Sequence, residues 1–136
     1  MLRKHEGSRT FEGPEYERAA EEFYRRHVLR LDHRPGWWKR ALERYNNRLN
    51  VHMWEPDGGE LARWDVRPRL REVMVPTLII AGRHDGTTGG SERVLHEGIA
   101  GSELVFFDES SHYPFAEEPR LFTAVLEDFL ARAEKG

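Results

Sequence analysis

The 136-residue sequence contains no cysteine, which excludes disulfides, cysteine-ligated zinc and thiol nucleophiles and leaves the redox compartment open. It also lacks an excess of one charge. Lys and Arg number 21 against 24 Asp and Glu, for a net charge of -3. The two signs alternate, as in Glu21-Glu22-Phe23-Tyr24-Arg25-Arg26, so no stripe of one sign suits nucleic acid. Long hydrophobic runs are missing too. The longest, around Val75 to Ala81, is far too short to cross a bilayer, and the opening Met-Leu-Arg-Lys-His-Glu has no apolar centre of a secretory signal. A cytoplasmic setting with no membrane partner is expected. The metalloprotease pattern His-Glu-x-x-His is absent, since His5-Glu6 and His96-Glu97 each lack the second histidine, and neither a metal nor another cofactor is expected.

What remains is enough for a folded chain. The length suits one domain with a modest core. A 38% hydrophobic and 33% charged composition with four Trp, four Tyr and seven Phe argues against disorder. Pro14 to Leu31 opens with a proline suited to a first helical turn and sets Tyr16, Ala19, Ala20, Phe23, Tyr24 and Val28 on one helical stripe. Asp32-His33-Arg34-Pro35-Gly36 breaks it, and Trp37, Trp38, Ala41, Leu42 and Tyr45 resume the spacing in a second helix. Asn46 to Arg67 carries turn chemistry and reads as a connection.

After a short helical stretch from Arg67 to Val73, Val75-Pro76-Thr77-Leu78-Ile79-Ile80-Ala81-Gly82 is nearly all apolar, as in a parallel strand covered on both faces. Gly89 to Ile99 suits a helix, and Glu103-Leu104-Val105-Phe106-Phe107 a second buried strand. Leu121, Phe122, Val125, Leu126, Phe129 and Leu130 mark an amphipathic terminal helix. Strand, helix, strand, helix is the order of a doubly wound α/β sheet. Two parallel strands make an incomplete sheet, so further strands are expected from another chain or a longer parent, and an exposed edge implies self-association.

In open α/β sheets functional groups gather at the carboxyl ends of the strands. The first strand runs into Gly82-Arg83-His84-Asp85-Gly86, and the second, after Asp108-Glu109-Ser110-Ser111, delivers His112. An acid and an imidazole on neighbouring loops can meet by hydrogen bond, the acid fixing the tautomer of a histidine that takes a proton from a serine. Taken alone, Asp85 reads first as a loop acid ending a strand and His112 as a turn histidine; their place after consecutive apolar strands adds weight to the pair. Trp37, Trp38 and Trp54 read as packing residues first and as pocket lining second. His27 and His33 read as surface or cap-interface residues.

Pro76 to Asp85 resembles the strand that ends in the catalytic acid of the α/β-hydrolases, and Ser111-His112-Tyr113-Pro114-Phe115-Ala116-Glu117-Glu118-Pro119 resembles their catalytic-histidine loop. Glu22 to His27, Arg30-Leu31-Asp32, Met53-Trp54-Glu55-Pro56, Trp64-Asp65-Val66 and Ala100 to Leu104 are similar to the helical cap of the proline iminopeptidase (prolyl aminopeptidase) branch and its return to the sheet. The resemblance implies an α/β fold class, a partial α/β-hydrolase with a helical cap portion over 1–63 and the last strand-helix-strand-helix of the core over 64–136. It implies catalytic roles for Asp85 and His112. It places Glu55, with Trp54 beside it and Asp57 and Glu60 as further candidates, at the substrate's free amine.

The branch commonly carries another carboxylate directly after the catalytic acid, where this chain has Gly86. The nucleophile elbow Gly-x-Ser-x-Gly does not occur in the sequence; Gly89-Gly90-Ser91-Glu92-Arg93 lacks its final glycine. The function implied is the C-terminal portion of a serine hydrolase acting on the amide of an N-terminal residue in a small peptide, completed by an N-terminal half or a second copy. The alternatives are a noncatalytic interaction module, a vestigial fragment, or another amide or ester hydrolase of the same fold.

Overall fold

Two short parallel strands organise the chain, and the computed structural model describes residues 13–45, 61, 63–87 and 90–135 around them. Strand β1 (Leu78–Gly82) pairs with β2 (Glu103–Phe107) in register from Leu78↔Glu103 to Gly82↔Phe107. The apolar run starts at Val75, but pairing starts at Thr77, whose carbonyl accepts the Glu103 N–H at 2.9 Å. Pro76 has no N–H for a ladder, and Met74 and Val75 before it are 85% and 67% exposed. In β1, Ile79 and Ala81 are buried; in β2 only Phe107 is, with Leu104, Val105 and Phe106 half-buried. The covering expected on both faces is therefore more complete for β1 than for β2.

Helix α1 (Pro14–His27) starts at the predicted proline, with Glu15 and Glu17 in its first turn and Arg25, Arg26 and His27 in its last, the arrangement that suits the helix dipole. It stops four residues short of the expected end at Leu31. The His27 carbonyl accepts the Gly86 N–H at 3.0 Å, the Leu29 N–H returns to Tyr24 at 2.8 Å, and Leu29 turns inward to 1% exposure. Helix α2 (Gly36–Glu43) follows and buries Trp38.

The short helical stretch expected from Arg67 is a 3₁₀ helix, Arg67–Glu72. Asp65 accepts from the Arg67 guanidinium and backbone N–H, which holds its carboxyl down at about 2. Leu70 of this turn is buried against α3 (Ser91–Gly98): a Cβ at Gly98 would lie 2.6 Å from Leu70 Cδ1. After β2 come the four-residue α4 (Pro114–Glu117) and then α5 (Pro119–Ala133). Each opens on a proline, which suits a first turn because its missing N–H would have no intrahelical partner there. Phe122 of α5 reaches Phe107 and Phe115, both at 6.1 Å between ring centres. Among the described residues no helix is long and apolar enough to cross a membrane.

Candidate active site

The loops leaving the two strands are bonded to each other before either delivers a functional group. The Arg83 N–H donates to the Phe107 carbonyl at 2.8 Å and the His84 N–H to the Ser110 carbonyl at 2.9 Å. This crossing is possible because residue 82 has no side chain. A Cβ there would lie 1.9 Å from the Ser111 carbonyl oxygen and 2.5 Å from that of Ser110. Ser110 and Ser111 are fully buried.

Asp85 and His112 stand at the ends of these loops, with His112 Nδ1 2.8 Å from Asp85 Oδ2. The Thr87 N–H occupies the other oxygen, Asp85 Oδ1, at 2.9 Å. A carboxylate accepts, so Nδ1 carries the proton and Nε2 is the basic nitrogen. The acid side chain is 13% exposed and the histidine 48%, which leaves the ring open to a reaction partner. The pair expected from the sequence is thus assembled at the carboxyl ends of adjacent parallel strands.

A pocket of about 720 Å³ opens beside the pair. Its walls come from α1 and α2 as well as from the two loops, and include Phe23, Tyr24, Trp37, Trp38 and Tyr113. Trp38 sits edge-on to Tyr24 at 6.2 Å and to Tyr113 at 5.4 Å, and the His112 ring is edge-on to Tyr113 at 5.1 Å. Such pairs contribute about 0.5–1.5 kcal/mol each beyond burial. Trp37 and Trp38 therefore pack and line the pocket at once. Burial, followed by Tyr24 and the Asp85 charge, pushes the Tyr113 phenol up, so it stays neutral beside the acid.

His27 ties helix α1 to the acid loop. Its Nδ1–H donates to the His84 carbonyl at 3.0 Å while its own carbonyl holds Gly86. A Cβ on Gly86 would fall 2.7 Å from Phe23 Cζ and 3.2 Å from His27 Cβ, so the place where the resemblance puts a second carboxylate is covered by these two side chains. Trp54 and Glu55, given to the substrate by resemblance, lie outside the described residues, as do Asp57 and Glu60. Among the described residues no cluster of three or more His, Cys, Asp or Glu is arranged for a metal.

Sequence reasoning passed over the groups that hold the histidine loop. Glu117 accepts from the Ser111 N–H, the Ser111 hydroxyl and the Arg30 N–H, and Glu118 from the Ser110 hydroxyl and the Glu109 N–H. The available signal was a pair of acids in a tract otherwise apolar after His112, between two prolines.

Comparison with known proteins agrees with the fold. No family model matches the chain. The proline iminopeptidase of Saccharolobus solfataricus is 33% identical over 135 residues, covering 96% of this chain and 44% of that protein. That of Thermoplasma volcanium is 30% identical over 137 residues, covering 96% and 46%. Among solved structures, VinJ matches with a TM-score of 0.86 and 32% identity over 97% of this chain and 47% of that one. The proline iminopeptidase of Mycobacterium smegmatis matches with a TM-score of 0.82 and 33% identity, covering 97% and 46%. The chain spans about half the length of the curated relatives it matches. Fold and neighbours define the class: a partial α/β-hydrolase. Within that class, the chain is proline iminopeptidase-like, similar to those proteins over about half of their length.

Proposed function

We propose that this chain supplies the acid and base of a serine hydrolase that cleaves the amide of an N-terminal residue, the nucleophilic serine coming from outside these 136 residues. The observation that carries the reading is the 2.8 Å contact between His112 Nδ1 and Asp85 Oδ2 beside the aromatic pocket. In the reaction the serine oxygen adds to the amide carbonyl carbon as its proton passes to His112 Nε2. The C–N bond then breaks, and the same proton leaves on the departing amine. Water repeats the sequence against the acyl-enzyme, freeing the acid product and the serine. Asp85 keeps the imidazole oriented and stabilises its charged form in both halves. The apolar pocket wall suits the side chain of the residue being released.

The test is to co-express the chain with the Gly-x-Ser-x-Gly half of a proline iminopeptidase and assay a proline arylamide. Turnover is expected, along with fluorophosphonate labelling of the serine, and His112→Ala should reduce kcat by about 10³-fold or more. A stable complex that neither turns over nor labels counts against the proposal.

A further inference from the structure

We infer that Glu117 is a positioning residue that sets the orientation of His112 and couples it to the cap helices, an inference resting on the acid–base reading of the Asp85–His112 pair. Ser111 immediately precedes His112, and both its polar groups end on one carboxylate: its N–H on Glu117 Oε2, its hydroxyl on Oε1 at 2.6 Å. Oε1 also takes the Arg30 N–H at 2.5 Å. Arg30 follows the end of α1, whose residues Phe23, Tyr24 and His27 line the pocket together with Val28 just after it. One side chain therefore joins the segment that walls the pocket to the backbone that carries the base.

The arrangement is built for a carboxylate. Among the described residues three donors bond to it, and Ser111 is fully buried, so water cannot readily replace a lost partner. Helix α4 aims the group: the Glu117 N–H returns to Tyr113 at 3.0 Å and the Glu118 N–H to Pro114 at 2.9 Å. Glu118 is the built-in comparison. It holds the same loop through Ser110 at 2.5 Å and Glu109 at 3.2 Å, but among the described residues it makes no hydrogen bond to α1, α2 or the segment between them. A glutamine at 117 keeps the shape but offers one acceptor where two are needed. If its oxygen keeps the Ser111 hydroxyl and Arg30, its NH₂ faces the Ser111 N–H, donor against donor.

The test is nitrogen-15 NMR of the 136-residue chain. The unaltered chain should show the far-downfield Nδ1–H proton of the His112–Asp85 bond and the ring shifts of the Nδ1–H tautomer. In Glu117→Gln that proton should broaden or vanish and the tautomers mix, while exchange of the Arg30 and Ser111 amides quickens by about tenfold or more. Glu118→Gln should leave Arg30 protected. Should Glu117→Gln not fold, Ser111→Ala, which removes one of the three bonds, must show the same His112 change in smaller degree. An unaltered His112 signal in a folded Glu117→Gln chain, or in Ser111→Ala, overturns the inference. If the unaltered chain lacks the Nδ1–H signal, the acid–base reading falls, and the Arg30 and Ser111 amides still decide whether Glu117 ties cap to loop.

Discussion

Gly82 and Gly86 flank the acid loop for different reasons. At Gly82 the obstacle to a side chain is the backbone of Ser110 and Ser111, which cannot swing aside without moving His112. Gly82→Ala should destabilise the chain by about 1–3 kcal/mol, as overpacking does, read as a shift of the urea midpoint. At Gly86 the obstacle is the far end of the Phe23 ring, which is 39% exposed and has room to turn. Gly86→Ala should therefore cost less, about 1 kcal/mol. Phe23→Ala in the same chain should recover part of it, with a coupling of about 0.5 kcal/mol or more in a double-mutant cycle. Strict additivity would show that Phe23 is not what excludes a side chain at 86. Neither glycine's neighbour was legible in the sequence, because each is brought up by a long-range contact. Asp85 and His112 were legible, since two apolar strands announce where their loops must end.

At the scale of elements the helices and strands followed their periodicity, and the departures came where tertiary bonds took over backbone groups. Helix α1 ends at His27 because Gly86 and Glu117 claim groups that further helical turns would have used. The 3₁₀ turn at Arg67–Glu72 and the break at Glu118 that separates α4 from α5 likewise leave no mark in a hydrophobic pattern. Charge contributes one element contact that pH can probe. Arg132 of α5 grips Glu103, the first residue of β2, with bonds of 2.5 and 2.8 Å, and its hydrogen bonding holds the Glu103 carboxyl below its ordinary value of 4.5. A lowered folded-state value means the stability is present above 4.5 and is lost as pH falls through the folded value. Glu103→Gln should be less stable than the unaltered chain at neutral pH, and the gap should close as the pH drops below 4.5. Denaturant melts across that range check it; a gap that persists in acid would mean the glutamine disturbs packing instead.

At the scale of the whole molecule, surface that a sheet of this kind ordinarily covers is open. Among the described residues each strand pairs along one edge only. Trp64, Met74 and Val75 are 66%, 85% and 67% exposed, and Leu121 and Leu130 of α5 are 47% and 46% exposed, a helix in which no residue is buried. Scattered apolar residues on a surface need no explanation, but unpaired strand edges beside them favour association, and a net charge of -3 opposes it weakly. The chain alone should therefore self-associate with rising concentration, seen as a growing mean mass in light scattering. Apolar contact rather than charge drives this, so added salt should not dissolve the assemblies. Co-expression with the half that carries Gly-x-Ser-x-Gly should replace them with a single species of one-to-one mass, because strands from that half would occupy the same edges. A monodisperse monomer at every concentration would mean that the exposed residues are covered by the chain itself, and the edge argument for a complementing half would fall with it.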